Sequence, residues 1–400
     1  MPEFRPVEEQ LAVIERGVER IAPKEELKHK LARSRETGKP LRVKLGIDPT
    51  GADVHLGHTV VLRKLRQFQD LGHTVVLIIG TATARVGDPS GRDETRRSLT
   101  PEAIEANARN YLQQIARVLD VSKAEVVRNG DWFDRFAFGD VLRLLGQITM
   151  QRMLERDDFS KRIQSGTPIY LHECLYPLMQ GHDSVAIRAD VELGGREQLF
   201  NLMVGRDLQR DAGQEPQVAL CMPILRGLDG KQKMGKSLGN YIGIGESAKD
   251  QFGKTMSIPD ALLEEWFILL TDRPGDEIQQ LLANPMEAKK TLAADIVACY
   301  HGPEAAAAAR ADWEKQFSGR QDPDHIDEVT VPAGGPMKVL DLLVAAGLAK
   351  SKSEARKKVE EGAVNYGPDR TRVADWQATV PVADGLVLRL GRKIVRVRLR

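Results

Sequence analysis

The stretch L-R-V-K-L-G-I-D-P-T-G-A-D-V-H-L-G-H-T-V-V-L-R-K-L-R-Q-F-Q-D-L-G-H-T-V-V-L-I-I-G, Leu41–Gly80, decides the fold. Leu41–Asp48 alternates around branched residues and reads as a strand, and Pro49–Gly51 turns it. A helical pattern then runs from His55 to Asp70 and stops at Gly72. The apolar run Thr74–Gly80 reads as a second strand, buried on both faces. The strands begin about 30 residues apart, the span of a right-handed βαβ unit. Further strands are expected at Glu125–Arg128, Ser184–Ala189 and Gln217–Leu225 with helical patterns between them. That alternation predicts an α/β fold built on an open, mostly parallel, doubly wound sheet.

From about Ser247 the texture changes. Asp260–Leu270, Asp276–Leu282, Pro285–Tyr300 and Pro303–Phe317 carry helix patterns broken by Pro and Gly. The expected organisation is therefore a sheet-bearing domain over 1–246, an all-helical domain over 247–320, a turn-rich linker over 321–335 and a small α+β unit over 336–400. In that last unit Ser351 and Glu354 form a capping box ahead of a helix that stops at Gly362, and short strands follow at Ala363–Tyr366 and Leu386–Leu399.

Composition narrows the function classes. The chain has 400 residues, of which 42% are hydrophobic and 29% charged. No apolar run approaches the roughly 20 residues of a membrane span, and the first twenty residues carry no apolar signal core. The three cysteines, Cys174, Cys221 and Cys299, stand apart without a C-x-x-C pair, which suits a reducing compartment; the expectation is cytoplasmic. The net charge of +1 conceals an asymmetry: residues 336–400 hold 14 Lys+Arg against 7 Asp+Glu, a surplus of +7, leaving −6 on the rest. A basic terminal module points to phosphate backbones as partners.

Two strand-to-helix corners carry the chemistry. His55-Leu-Gly-His58 opens the first helix, and Lys233-Met-Gly-Lys-Ser237 lies about 175 residues beyond it, after the strand Gln217–Leu225. A helix N-terminus offers free N–H groups and partial positive charge, a seat for phosphate. Two imidazoles on its first turn can donate to phosphate oxygens, with Gly57 leaving room for close approach. Two lysines on a glycine-bearing loop add charge as the phosphates grow more negative in a transition state. Taken singly, H-x-x-H also suits a surface pair or a zinc site, and K-x-x-K-S an ordinary basic turn. Tyr176, Gln180 and Asp183 stand at i, i+4 and i+7, one helical face, so all three can point into one pocket.

The two motifs in this order resemble the signatures of class I aminoacyl-tRNA synthetases. Val86–Arg92 (V-G-D-P-S-G-R), Tyr176–Asp183 (Y-P-L-M-Q-G-H-D) and Gly194–Asn201 (G-G-R-E-Q-L-F-N) extend the resemblance, over nearly the whole chain, to the bacterial tyrosyl-tRNA synthetase family. The tail is similar to that family's S4 RNA-binding module. The resemblance implies a Rossmann-like catalytic domain, an anticodon-recognising helical domain and an S4-like tail. It implies that Asp88, Tyr176 and Gln180 hold a tyrosine ammonium, that Asp183 accepts the phenolic hydroxyl, and that Gln198 lies beside the carboxylate. It assigns Gly46, Asp48, Gly57, Gly195 and Glu197 to ATP. Thr50, His55, His58, Lys233, Lys236 and Ser237 face its phosphates, and Arg92 and Arg96 match a mobile basic loop. Lys352, Arg356, Lys357, Lys358, Arg392 and Lys393 are the RNA-binding candidates. Implied partners are L-tyrosine, ATP with Mg2+ as counter-ion, tRNA(Tyr) and a second copy of the chain, joined through about 110–180. No tightly bound cofactor and no dedicated metal site are expected.

Three positions depart from the family pattern. Lys44 replaces a tyrosine that often helps to hold the substrate hydroxyl; either it points elsewhere while another group assists Asp183, or the pocket belongs to a variant subgroup, and an ammonium there could also pair with Asp183 and keep it ionised. Glu197 stands where Asp is usual, and Gly235 where Ser is usual. Alternative readings are another amino acid of the class, tryptophan first, a small-molecule nucleotidyltransferase, and an RNA-binding protein on a catalytically retired scaffold.

Overall fold

In the first unit six strands form one sheet: β1 (Arg20–Ala22), β2 (Arg42–Ile47), β3 (Thr74–Ile79), β4 (Glu125–Arg128), β5 (Val191–Gly195) and β6 (Val218–Met222). Their order is β1-β6-β5-β2-β3-β4, all parallel except β1, which pairs antiparallel with β6. These features come from a computed structural model, which describes residues 4–49, 54–90, 100–317, 326–332, 335–391 and 393–400. Among the described residues no helix is long and apolar enough to cross a membrane.

The quoted stretch forms the expected βαβ unit, with Arg42 opposite Thr74 and Ile47 opposite Ile79 across the β2–β3 pair. Alternate residues of β3 serve different cores, and β2 adds to one of them. Val43, Leu45, Val75 and Leu77 join one cluster, and Val76 and Ile78 another on the opposite face. This is why β3 reads as an unbroken apolar run. Between β2 and β3, helix α1 (Leu56–Asp70) buries Leu56, Val60, Leu62, Leu65 and Phe68. Each such side chain contributes about 1.5–3 kcal/mol. Helices Leu263–Leu270 and Pro285–His301 add Trp266, Phe267, Leu292 and Ile296 to the same core. Residues 247–310 accordingly belong to the first compact unit, Met1–Arg310.

Two expectations need correction. Ser184–Ala189 is not a strand: helix α2 (Leu175–Ile187) continues through it to a left-handed cap at Arg188, φ 51°. The strand follows at β5, whose apolar pattern is interrupted by Glu192, a carboxylate buried against Lys44. The expected linker 321–335 contains a strand, β7 (Asp327–Val331), which pairs in parallel with Lys393–Leu399.

The second unit, Ala311–Arg400, holds a five-stranded sheet and a two-stranded one. Its core gathers Leu342, Leu343, Val359, Val364, Leu388 and Val397. Helix α3 (Lys352–Glu360) is capped by Ser351, whose hydroxyl accepts from Glu354 N at 3.2 Å.

Candidate active site

In this sheet the chain winds one way from β2 to β3 and the other way from β5 to β6. The switch therefore falls between β2 and β5, and a cavity of about 880 Å³ opens at their carboxyl ends. Gly46 is the exposed position of β2, with nothing within 4 Å of where a Cβ would stand, so the cavity floor stays open there. The other wall is Gly194–Gly195 of β5; a Cβ on Gly194 would meet the Gln198 side chain at 2.8 Å.

The two signature corners meet here through backbone. Leu56 N donates to Ile242 O at 3.0 Å and Ile244 N to Val54 O at 3.1 Å, so the chain after Lys233–Ser237 is stitched to the start of α1. Asn240 shapes that loop: it donates to Asp229 Oδ2 at 2.8 Å and Lys233 O at 3.1 Å, and accepts from Gly235 N at 2.9 Å. His55, His58, Lys233, Lys236 and Ser237 consequently line one cavity.

The histidines stack, ring centroids 3.8 Å apart. His55 Nδ1 accepts from Gly57 N and His58 Nδ1 from His55 N, each at 3.2 Å. With Nδ1 used as acceptor, the neutral ring carries its proton on Nε2, a donor. Burial first, then His58 and Lys236, pushes His55 down to about 3. Burial, then Lys236, pushes His58 down to about 4. Both are neutral at pH 7.

Deeper in, α2 presents Tyr176, Gln180 and Asp183, as their spacing predicts. Tyr176 OH donates to Asp48 Oδ2 at 2.9 Å, and Thr83 Oγ1 to Asp48 Oδ1 at 2.7 Å. Gln198 Nε2 donates to Asp88 Oδ2 at 2.7 Å. Asn201 Nδ2 ties Gln180 Oε1 at 2.9 Å to Gln198 Oε1 at 3.0 Å. Asp183, 3% exposed, accepts from Trp132 Nε1 at 3.0 Å and Asn129 Nδ2 at 3.2 Å. Burial outweighs these donors and Lys44 and pushes its carboxyl up to about 7. Glu197 is likewise raised, chiefly by burial.

Lys44 resolves one open alternative. It pairs with Glu192 at 2.8 Å and donates to Gln180 O and Ser184 Oγ, each at 2.7 Å. Its direct partners do not include Asp183, which is held by Asn129 and Trp132 and feels Lys44 only through space. The candidates Gly46, Asp48, Gly57, Asp88, Gly195, Glu197 and Gln198 share the cavity with the residues above. Thr50, Arg92, Arg96 and Arg392 lie outside the described residues. Sequence reasoning missed Thr83, Asn129, Trp132, Glu192 and Asn201, each of which has at least one partner more than twenty positions away.

Lys352, Arg356, Lys357, Lys358 and Lys393 belong to the second unit. Three of them are paired with carboxylates: Lys352 with Asp341, Arg356 with Glu360 and Lys358 with Glu361. Arg356 also lies over the Trp376 ring, 4.4 Å from its centroid.

A topological-switch cavity with a histidine-capped helix on one wall and a paired-lysine loop on another defines a nucleotide-dependent enzyme of the class I synthetase type. Residues 36–318 match the family described as tRNA synthetases class I (W and Y), and the chain belongs to that family. It is 53% identical to a protein of Symbiobacterium thermophilum named tyrosine–tRNA ligase, over 99% of both chains. It is 48% identical to the tyrosine–tRNA ligase of Bordetella pertussis, over 98% of this chain and 97% of that one. The fold is similar to that of the Archaeoglobus fulgidus tyrosyl-tRNA synthetase solved with L-tyrosine, with a TM-score of 0.61 at 23% identity, over 76% of this chain and all of that one.

Proposed function

We propose that this chain is a tyrosine–tRNA ligase. It activates L-tyrosine with ATP to tyrosyl-adenylate and pyrophosphate, then passes the tyrosyl group to the 3′-terminal ribose of tRNA(Tyr). The observation that carries the amino-acid assignment is Asp183, a buried carboxylate held by Asn129 and Trp132 at the floor of the cavity. A buried acceptor with a spare lone pair accepts a phenolic hydroxyl and penalises phenylalanine, which leaves it unpaired. The full-length relatives named tyrosine–tRNA ligase support the same substrate.

In the first step the tyrosine ammonium rests against Asp88, Tyr176 and Gln180, whose Oε1 keeps one lone pair beside Asn201. The substrate carboxylate, already ionised, attacks the α-phosphate in line, and the bond to pyrophosphate breaks with the electron pair leaving on pyrophosphate. No general base is required. The Nε2–H groups of His55 and His58 and the ammonium groups of Lys233 and Lys236 stabilise the charge gathering on the phosphates; the rate comes from positioning and charge. Magnesium would enter as a counter-ion held by phosphate oxygens and water, spreading the pyrophosphate charge. Among the described residues no group of three or more His, Cys, Asp or Glu side chains forms a cage for it. In the second step the ribose hydroxyl attacks the acyl carbon and AMP leaves.

The basic face of the second unit suits the phosphates of tRNA, which it would grip by charge and shape. A homodimer is supported by apolar side chains left open within 110–180: Phe138 is 76% exposed and Leu171 79%. Sedimentation of Phe138→Asp/Leu171→Asp as a monomer would bear that out. A cytoplasmic setting follows from the same reading. The deciding assay is amino-acid-dependent ATP–pyrophosphate exchange with tyrosine, phenylalanine and tryptophan in parallel; absence of exchange with tyrosine overturns the assignment.

A further inference from the structure

A second cavity, of about 660 Å³, lies on the other side of α1 from the histidine corner, and arginine is the commonest residue of its wall. Arg5, Arg16, Arg63, Arg66 and Arg117 line it against only two carboxylates, Asp70 and Asp272. Those carboxylates are committed: Arg66 Nε to Asp70 at 2.7 Å and Arg63 Nη2 to Asp272 at 2.8 Å. Arg16 and Arg117 each spend one nitrogen on a backbone carbonyl, Thr271 O at 3.3 Å and Ile244 O at 3.0 Å. Arg5, Arg16 and Arg117 thus make no direct ion pair with a carboxylate among the described residues; burial pushes Arg16 down, and Asp272 opposes that only through space. Lys64, buried behind this wall, feels the same excess: burial, then Arg16, pushes its ammonium down to about 7.

Concentrating positive charge in a concave site costs free energy unless an anion neutralises it. Planar guanidinium forks match phosphate bidentately, so phosphate is the anion this wall fits best. One further group narrows the ligand. Gln67 lines the cavity, and its Oε1, turned out of solvent, has no hydrogen-bond partner among the described residues. An orphaned acceptor beside an anion site calls for a ligand that also donates, through a hydroxyl or an amine. The volume lies within the range of small-molecule pockets.

We propose that this arginine-lined cleft is a binding site for the phosphate groups of a nucleotide, separate from the catalytic cavity. The two sites share α1 but no lining residue: His58 and Leu62 face the catalytic cavity, and Arg63, Arg66 and Asp70 face the cleft. The nucleotide could reach the cleft free in solution or as part of a bound RNA strand; the chemistry is common to both. The proposal does not depend on which amino acid the enzyme activates.

The test is calorimetric titration of the full chain at low salt with inorganic tripolyphosphate and, separately, with CTP. The key variant is Arg5→Gln/Arg66→Gln/Arg117→Gln, which changes three exposed side chains. The expected result is two classes of tripolyphosphate site in the unaltered chain. One class should weaken at least tenfold in the triple variant, while tyrosine-dependent exchange stays within twofold and reports an intact fold. CTP should bind the cleft more tightly than tripolyphosphate, and Gln67→Leu should remove that increment. Coincident isotherms for the unaltered chain and the triple variant overturn the site, and equal binding of CTP and tripolyphosphate overturns the nucleotide assignment. Once the site is established, filter binding identifies its source. An RNA phosphate predicts weaker tRNA binding by the triple variant with a shallower salt dependence, and a free nucleotide predicts unchanged tRNA binding.

Discussion

Lys44 Nζ lies 2.8 Å from Glu192 Oε1, and neither side chain has any exposure to solvent. The pair joins β2 to β5 across the topological switch, directly beneath the proposed tyrosine pocket. Glu192 also accepts from Gln180 Nε2 at 3.0 Å and Ser184 Oγ at 3.1 Å. Lys44 therefore acts on the pocket through Gln180, whose carbonyl it holds and whose carboxamide its partner orients.

Breaking such a pair leaves one charge stranded. Lys44→Met is expected to cost about 3–5 kcal/mol of unfolding free energy, and Lys44→Met/Glu192→Gln to recover most of it. Both should raise KM for tyrosine more than KM for ATP, because Gln180 loses its orientation. Urea unfolding with exchange kinetics checks this; a double variant as unstable as the single one would refute the pairing argument.

Asp183 makes stability depend on pH. Its folded-state carboxyl sits at about 7, against about 3.9 when unfolded. Between those values the native chain holds a proton that the unfolded chain releases. Its contribution to stability is therefore full below about pH 4 and lost as pH rises through 7, at most about 4 kcal/mol. Asp183→Asn cannot ionise, so the variant should gain stability relative to the unaltered chain from pH 5 to pH 8. Its preference for tyrosine over phenylalanine should shrink about 10- to 100-fold, the value of a hydrogen bond to a charged group. Parallel stability curves would show that Asp183 does not titrate in this window.

Much of this architecture was legible and some was hidden, for definite reasons. The β2–α1–β3 unit follows from alternation, a turn and a helix stop, all local signals, and its bounds fall within a residue or two. The convergence of Tyr176, Gln180 and Asp183 follows from helical spacing alone. β5 was hidden because its pattern is broken by a buried glutamate whose partner lies 148 positions earlier. Asn129 and Trp132 follow β4, and nothing near them announces that they reach Asp183. The strand Asp327–Val331 was hidden among turn residues because it is stabilised by its partner Lys393–Leu399, near the other end of the unit.

The histidine corner has the opposite pH signature. His58 is held at about 4 by burial and Lys236, against about 6.5 when unfolded. The unfolded chain binds the proton first, so this stability is present above pH 6.5 and lost as pH falls through 4, about 3 kcal/mol in all. His58→Ala should flatten the acid limb of the stability profile. It should also lower the rate of adenylate formation roughly 10²- to 10³-fold, the cost of losing one preorganised donor, with tyrosine affinity nearly unchanged. Urea unfolding over pH 3–7 tests the first and stopped-flow activation at pH 7 the second; an unchanged rate removes His58 from the phosphate site.

The second unit sets where a truncation must fall. Charge alone suggests cutting near residue 336, but β7 pairs with Lys393–Leu399 and Glu328 bridges Arg398 at 2.7 Å, so the module begins before that point. A chain ending at 335 would keep β7 without its partner strand, exposing an unpaired edge that invites association. A chain ending at 317 removes the sheet entire. The expectation is that both truncations retain tyrosine-dependent exchange and lose most tRNA charging, because the proposed phosphate contacts from Lys352, Arg356, Lys357 and Lys393 are gone. Raised salt acting on the full chain should mimic that loss. Only the chain ending at 335 should associate beyond a dimer, as read by light scattering. Undiminished charging by the chain ending at 317 would show that the tRNA is gripped elsewhere.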